Sequence, residues 1–357
     1  MKTHMFNLKS GNDFSISKKI LPILLIVIAS VSFIQCSKNK SDPPAPVVPK
    51  IVYATGSEFN GSHEVAKVWK DGVATSLSDG TYDAVGNSIY VSGSDVYVAG
   101  YEWNSSSNPV AKVWKNGTVT SLTDGSRSAE ATSVYVSGSN VYVAGYMRNS
   151  AGINVAKVWK NGVATDLTDG SRSAYTNSVY VSGSDVYAVG YELNSSNVSI
   201  AKLWKNGTAI PLSDGNANVY GKSVYVSGSD VFAAGEETYR GSKSVAKIWK
   251  NGTATALSDG TANVYGNSVY VSGSDVYVAG YELNSSSIAT AKLWKNGIAM
   301  PLSNGDANSV YVSGSDVYAG GSEANSSGNS FATVWKNGLA TALSTVRSSE
   351  VTSVFVK

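Results

Sequence analysis

Residues 178–215 read SVYVSGSDVYAVGYELNSSNVSIAKLWKNGTAIPLSDG and hold one complete copy of the unit from which the chain is built. The unit has four short segments rich in Val, Tyr and Thr, each bounded by Gly, Asn, Asp or Ser, as β-strands are. SGSD joins the first two segments, and Asn-Gly joins the last two. Asn-Gly strongly indicates a hairpin, because a type I′ turn needs positive φ at both central residues. The stretch therefore predicts a four-stranded antiparallel meander.

The unit recurs along most of the chain. Its first segment, SVYV or a variant, begins at residues 88, 133, 178, 223, 268, 309 and 353. Each third segment carries one tryptophan: Trp69, Trp114, Trp159, Trp204, Trp249, Trp294 and Trp335. Four strands in every ~40–45 residues, repeated, are typical of β-propeller blades. We expect the tryptophans to pack between blades.

The two ends of the repeat region complement each other. The region starts at a second strand, residues 51–56, and ends at a first strand, residues 353–356. We predict that these strands pair, because pairing closes a ring and removes two exposed edges. The predicted fold is an all-β, seven-bladed β-propeller of four-stranded antiparallel blades over residues 50–357. An open β-solenoid, which does not need such complementary ends, is the alternative.

The N-terminus has the features of a lipoprotein signal peptide, residues 1–35. Two lysines precede the apolar run 20–34, which is shorter than the ~20 residues of a membrane-spanning helix. The only cysteine, Cys36, follows in a lipobox-like FIQC segment. We expect Cys36 to carry a lipid and residues 36–49 to form a Pro-rich tether. The protein would then be exported and anchored to a bacterial membrane, the outer one, facing the periplasm or the cell surface. An uncleaved signal anchor and simple secretion are the alternatives.

Charge and histidine content narrow the possible functions. The formal net charge is +2, and the first 35 residues hold four lysines against one aspartate. The rest is near neutral, so we expect no nucleic-acid partner. A Ser-His-Asp triad would need His63, the one histidine of the repeat region, and no Cys/His cluster suits zinc. We therefore expect no catalytic residues, no metal, no cofactor and a monomer.

The strand order sorts the connections onto two faces. First-to-second and third-to-fourth connections are short and constant, and we call their side the constant-turn face. The other connections are long and variable, and their side is the long-loop face. Binding residues commonly lie on such loops. The first candidate is Trp103, the one tryptophan outside the repeat, for which packing against a neighbouring loop is the alternative.

Further candidates are tyrosines and arginines of the same face. Four tyrosines end second strands: Tyr101, Tyr146, Tyr191 and Tyr281. Three more recur in fourth-to-first connections: Tyr175, Tyr220 and Tyr265. Arg127 and Arg172 add two basic groups. Tyrosines beside Ser and Asn form adaptable recognition surfaces.

Six glutamates follow the second strands: Glu58, Glu102, Glu192, Glu237, Glu282 and Glu323. Copies in adjacent blades should lie too far apart to share a calcium ion. We expect them instead to form ion pairs with the third-strand lysines Lys67, Lys112, Lys202, Lys247 and Lys292, each contributing little if exposed.

The third and fourth strands, A-x-x-W-x-N-G-x-x-x-x-L, resemble the extracellular HAF-type repeat, AFLW-xNG-xxxx-LG. The resemblance recurs over residues 51–357. It implies an exported repeat protein and no defined activity.

The near-identity of the blades counts against an enzyme, because a catalytic site needs one asymmetric arrangement of residues. We expect a non-enzymatic, membrane-tethered recognition or scaffold module that binds a glycan or a protein on its long-loop face. The alternatives are a carbohydrate-active enzyme, such as a polysaccharide lyase or glycoside hydrolase, and a purely structural spacer, because fold alone does not decide between them.

Overall fold

The computed structural model describes residues 49–239 and 241–357. This part consists of 27 strands and their connections. The predicted signal peptide and lipidation site at Cys36 lie outside the described residues. Over the described ranges, no helix has the length and apolar character needed to cross a membrane.

Each blade has four strand positions, and the strands at each position share their length and sequence pattern. The first strands are β4 (Ala84–Ser92), β8 (Ala129–Ser137), β12 (Ala174–Ser182), β16 (Asn218–Ser227), β20 (Asn263–Ser272), the second half of β23 (Ile298–Ser313) and β27 (Ser349–Val356). The second strands are β1 (Val52–Phe59), β5 (Asp95–Trp103), β9 (Asn140–Arg148), β13 (Asp185–Leu193), β17 (Asp230–Thr238), β21 (Asp275–Leu283) and β24 (Asp316–Ala324).

The two outer positions hold shorter strands. The third strands are β2 (Glu64–Lys70), β6 (Pro109–Lys115), β10 (Asn154–Lys160), β14 (Ser199–Lys205), β18 (Ser244–Lys250), β22 (Ala289–Lys295) and β25 (Ser330–Lys336). The fourth strands are β3 (Val73–Ser76), β7 (Thr118–Ser121), β11 (Val163–Asp166), β15 (Thr208–Pro211), β19 (Thr253–Ala256), the first half of β23 and β26 (Leu339–Ala342).

These strands form seven blades, as the sequence predicts. Five blades are separate four-stranded sheets, and the other two share the long strand β23. Residues 298–301 of β23 pair with β22 as a fourth strand, and residues 305–313 pair with β24 as a first strand. We number the blades from the one formed by β27, β1, β2 and β3, and continue in chain order.

The predicted ring closure is confirmed. Strand β27 pairs with β1 in antiparallel register from Val52 opposite Val356 to Glu58 opposite Ser349. Beyond the strand ends, the Ile51 N–H donates to the Lys357 carbonyl at 2.8 Å. The closing pair therefore extends over the full length of β1, further than the predicted segments 51–56 and 353–356.

A ring of serine hydroxyls joins neighbouring first strands, and we call it the serine ring. In each blade, the Oγ of the serine that opens SVYV accepts a hydrogen bond from a backbone N–H of the next first strand, at 3.1–3.3 Å. For example, the Val134 N–H donates to Ser88 Oγ at 3.1 Å. The set continues through the closing blade, where the Ile89 N–H donates to Ser353 Oγ. All seven blades are thus joined in one unbroken circuit.

The core lies between blades, which confirms the packing predicted for the tryptophans. All seven repeat tryptophans are almost fully buried. In one cluster, Trp159 of the third blade packs with Tyr97, Ala99 and Val113 of the second. The Asn-Gly turns also take the predicted conformation, with φ of 50° at Asn116 and 82° at Gly117.

Removing one hydroxyl from the serine ring should destabilise the propeller. Ser133→Ala leaves the Val179 N–H without its partner at a buried site. We expect the free energy of unfolding to fall by about 1–3 kcal/mol, the usual effect of an unpaired buried donor. Ser121→Ala on the exposed strand β7 is the matched control and should change stability little. Chemical denaturation measures both, and equal stability of the two variants would contradict a structural role for the ring.

Candidate functional site

A β-bulge in the first strands sets which side chains face one another at the long-loop end. In the second blade the register between β4 and β5 shifts between Gly86 and Ser88. The bulge directs the Val85 carbonyl at β5, where a Cβ on Gly100 would lie 2.0 Å from that oxygen. Only glycine fits there, which explains the glycine of the DVYVAG segment.

The bulge also changes the alternation of side chains. Tyr90 lies opposite Tyr97, and Val85 lies opposite Tyr101. Tyr97 and Tyr101 are four residues apart on an uninterrupted strand and share a face. Tyr90 and Val85 are five residues apart yet share that face, because the bulge adds one residue between them. Two sets of side chains therefore lie on one side of every blade.

The set nearer the long-loop face forms what we call the mouth belt. Each blade contributes one residue of its first strand and the residue directly opposite on its second strand. The pairs are Glu350–Ser57, Val85–Tyr101, Glu130–Tyr146, Tyr175–Tyr191, Tyr220–Glu236, Tyr265–Tyr281 and Asp306–Ser322.

Aromatic contacts connect part of the belt across blades. Tyr146 meets Tyr175 edge-on at 4.8 Å between ring centroids, Tyr175 stacks on Tyr191 at 4.8 Å, and Tyr191 meets Tyr220 edge-on at 4.9 Å. A separate pair, Tyr265 and Tyr281, stacks at 4.7 Å. All seven tyrosines proposed from the sequence therefore belong to the belt.

One detail of that prediction is wrong. Tyr175, Tyr220 and Tyr265 are not in fourth-to-first loops, because they are already paired residues of the first strands β12, β16 and β20. The bulge allows pairing to continue beyond SVYV toward the long-loop face. Their rings are thereby fixed on a rigid element.

Four carboxyl groups interrupt the belt, and sequence reasoning missed them as site residues. They are Glu130, Glu236, Asp306 and Glu350. Burial raises the pKa of Glu130 and of Glu236. Burial, followed by the charges of Asp306 and Glu64, raises the pKa of Glu350 to about 7. Alignment of the first strands on SVYV shows three of them at one varying position, and this signal was available in the sequence.

The fifth blade places a cation beside one of these carboxyl groups. In the other six blades, an Asn or Thr side chain of the first strand donates to a backbone carbonyl of the next first strand at 2.5–3.1 Å. The equivalent residue here is Lys222, whose Nζ lies 3.4 Å from Glu236 Oε1. Lys222 is the only Lys or Arg at this position of the first strands.

The second set of side chains forms a ring nearer the constant-turn face, which we call the channel ring. Its members are Tyr90, Tyr135, Tyr180, Tyr225, Tyr270, Tyr311 and Phe355, with neighbouring centroids 4.7–5.2 Å apart. Burial raises the pKa of Tyr90 and of Tyr311, so these hydroxyls are neutral at physiological pH. The first strands that carry the ring contact one another in order around the whole circle, so the ring surrounds the central channel.

The remaining candidates from the sequence lie outside the belt. Trp103 ends β5 and is 38% exposed. Arg172 is exposed and donates to the Asn194 carbonyl at 3.2 Å, and Arg127 is exposed on its loop. The structure does not bring these three side chains together with the tyrosines.

Five of the six glutamates form the predicted ion pairs. All six are the next-to-last residues of second strands and do not follow them, because those strands extend further than predicted. Lys67 lies 2.9 Å from Glu58, and Lys112, Lys202, Lys247 and Lys292 pair with Glu102, Glu192, Glu237 and Glu282. Lys157, whose blade has Met147 instead, pairs with Asp166. In the described residues, no group of three or more His, Cys, Asp or Glu is arranged to hold a metal ion.

Comparison with known proteins yields similarity to solved structures. No family model matches, and no curated protein matches. A puromycin hydrolase mutant complexed with PGG is similar over 85% of this chain and 53% of its own, with 9% identity and a TM-score of 0.57. A Mycobacterium tuberculosis puromycin-hydrolyzing peptidase is similar over 82% of this chain and 53% of its own, with 9% identity and a TM-score of 0.56. The acylaminoacyl peptidase of Pyrococcus horikoshii is similar over 85% of this chain and 52% of its own, with 12% identity and a TM-score of 0.51.

The chain thus spans about half the length of these peptidases. The β-propeller domain of the Trilobed protease from Pyrococcus furiosus is matched over 95% of its length, with 9% identity and a TM-score of 0.50. That domain is described as having an open velcro topology, whereas β27 and β1 close the ring here. At these identities the similarity shows the fold, a β-propeller.

The comparison corrects the functional hypothesis. We expected a non-enzymatic recognition or scaffold module for a glycan or protein, with a carbohydrate-active enzyme or a spacer as alternatives. The similar propellers belong to peptidases, which overturns this expectation and its statement that the protein is not an enzyme. The near-identity of the blades, on which it depended, does not extend to the mouth belt.

Stability should fall as pH rises through neutrality. The pKa of Glu350 is about 7 in the folded chain against 4.5 ordinarily, so ionisation above pH 4.5 favours the unfolded chain. Between pH 5 and pH 8 this group alone should lower the free energy of unfolding by about 2 kcal/mol, and the raised pKa values of Glu130 and Glu236 act with the same sign. Thermal unfolding at both pH values measures it.

Glu350→Gln should reduce this pH dependence, whereas Glu192→Gln, outside the belt, should leave it unchanged. A wild-type protein that is more stable at pH 8 than at pH 5 would contradict the prediction.

Proposed function

We propose that this chain serves peptide hydrolysis, as the propeller that selects peptides and admits them through its long-loop mouth. The observation that carries the proposal is the mouth belt, in which carboxyl groups and tyrosines surround one end of the channel. The similarity of the fold to propellers of peptidases supports it.

The charge of the belt suits a peptide with a cationic group. Glu130, Asp306 and Glu350 lie on three different first strands. Within residues 49–239 and 241–357, Lys222 is the one cation paired with a belt carboxyl group. Partly desolvated carboxylates attract ammonium and guanidinium groups more strongly than exposed ones do. Tyrosine rings beside them offer flat apolar surfaces and a hydroxyl. A peptide ammonium or a basic side chain fits this combination.

The channel ring supports entry from the long-loop side. Seven ring centroids spaced as observed lie about 5.5 Å from their common centre, and the aromatic atoms themselves occupy much of that radius. The ring narrows the channel near its constant-turn end. A peptide would therefore enter and leave at the belt.

Bond cleavage is assigned to a hydrolase domain or subunit beside the propeller. Among the described residues His63 is the one histidine, and its Nδ1 lies 3.3 Å from Asp83 Oδ1. No hydroxyl of the described residues is hydrogen-bonded to its ring. A triad needs a nucleophile in contact with this base, so we assign no catalytic role to His63.

Peptide binding by the full chain tests the proposal. A fluorescently labelled pentapeptide with a free N-terminus and one lysine should bind to the chain, and fluorescence anisotropy measures its affinity. Its acetylated, lysine-free counterpart should bind at least about tenfold more weakly, equal to ~1.4 kcal/mol. Glu130→Gln with Glu350→Gln should weaken binding of the cationic peptide to a similar extent.

Two controls make the result specific. Glu192→Gln with Glu282→Gln removes the same number of charges outside the belt and should leave binding within about twofold. In cells that make the protein, surface cleavage of the peptide should fall when the chain is deleted or carries the belt substitutions. Equal affinity for both peptides, or unchanged cleavage after deletion, would refute the proposal.

We also propose that the propeller is exported and held at a bacterial membrane by a lipid on Cys36, on the sequence features of residues 1–36. Cells fed a labelled fatty acid should incorporate the label into the wild-type chain and not into Cys36→Ala. The wild-type chain should be found in the membrane fraction, and the Cys36→Ala chain should be lost from it. Label retained in the Cys36→Ala chain would overturn this assignment.

A further inference from the structure

The fifth blade departs from the pattern of the other six at two adjoining places. Lys222 stands where they carry Asn or Thr, and Glu236 stands where they carry Tyr or Ser. The departure removes a hydrogen bond, because within the described residues the Gly266 carbonyl receives no side-chain donor from the fifth blade. Residues that break a local rule at a loss of stability are typical of functional positions.

Glu236 is a buried carboxylate with spare capacity. The residue is 5% exposed, and Oε1 lies 3.4 Å from Lys222 Nζ. Oε2 has no hydrogen-bond partner among the described residues. A buried carboxylate oxygen without a donor is unfavourable. The site therefore lacks one donor.

Lys222 is partly exposed, and its ammonium group has donors that are not used. Its side chain is 36% exposed, and Nζ lies 5.5 Å from the centre of the Tyr220 ring. An ammonium group has three donors, and Glu236 is the one acceptor near Nζ in the described part. The fifth blade thus presents a free acceptor and free donors side by side.

Tyrosines flank this pair on both sides. Tyr220 lies opposite Glu236 and meets Tyr191 of the fourth blade, while Tyr265 and Tyr281 of the sixth blade stack on each other. Burial raises the pKa of Tyr281 to about 12, and the charges of Asp306 and Glu236 act in the same direction. The flanking rings are neutral aromatic surfaces.

We propose that Glu236 and Lys222 form a binding site for a free α-amino acid with an aromatic or large apolar side chain. The ligand ammonium donates to Glu236 Oε2, and the ligand carboxylate accepts from Lys222 Nζ. Its side chain packs against the flanking tyrosines. The chemical class rests on the proposed function, because hydrolysis of a terminal peptide bond releases a free amino acid.

Calorimetry on the full chain tests the site with three probes. L-phenylalanine carries both charges, phenethylamine lacks the carboxylate, and 3-phenylpropionate lacks the ammonium. We expect L-phenylalanine to bind at least about tenfold more tightly than either analogue, since each analogue can form only one of the two charged contacts. Equal affinity for a singly charged analogue would overturn the proposal.

Variants that copy the other blades provide a second readout. Lys222→Asn and Glu236→Tyr install residues already present at the aligned positions, and Lys222→Asn restores a donor for the Gly266 carbonyl. Each should reduce L-phenylalanine affinity at least about tenfold. The double variant should also raise the melting temperature, because it leaves no buried charge, whereas Lys222→Asn alone leaves Glu236 without its cation. Lys222→Ala should lose affinity without that gain in stability. Glu192→Gln is the matched control and should bind normally. Full affinity in the Lys222→Asn, Glu236→Tyr double variant would refute the site.

The experiment separates this proposal from the proposed function. Amino-acid binding that depends on Lys222 and Glu236, together with failure of the cationic peptide to bind, would retain the site and reject the peptide-admitting role. Peptide binding that depends on Glu130 and Glu350, without amino-acid binding, would reject the site alone.

Discussion

A single hydrogen bond, repeated seven times, sets the dimensions of this molecule. It joins a backbone N–H of one first strand to a serine Oγ of its neighbour, and the circuit includes the joint between the two chain ends. Because all seven bonds have nearly the same length, the first strands are held at a constant spacing. The even spacing of the channel ring follows from it, and so does the position of the tyrosines and carboxyl groups at the mouth.

The features that sequence reasoning predicted are those that depend on local, repeated patterns. Asn116-Gly117 specifies its turn by backbone conformation alone, and a tryptophan in every copy can be buried only between copies. The ring closure followed from the two incomplete ends. The lysine–glutamate pairs followed from their recurrence on adjacent strands of one hairpin. None of these needs knowledge of how one blade faces the next.

The mouth belt depends on a feature that the repeat pattern does not show. One bulged residue before Ser88 puts Val85 and Tyr90 on the same side, whereas simple alternation separates them. Without the bulge, Tyr175 reads as a loop residue and Glu130 as an ordinary surface acid. The argument from near-identical blades failed for the same reason. The repeat is most constant around SVYV, and it varies at the position five residues before the tyrosine.

The closing strand pair also determines how the propeller responds to mechanical load. The N-terminal end of β1 lies beside the C-terminal end of β27, with Val52 opposite Val356. A force that pulls residues 51 and 357 apart would break the hydrogen bonds between β1 and β27 one after another, starting at this end. A force between residue 51 and the body of the ring instead loads β1 in shear against both β27 and β2, so many hydrogen bonds resist together. The ring is therefore strong when pulled by its N-terminus alone and weak when pulled by both ends.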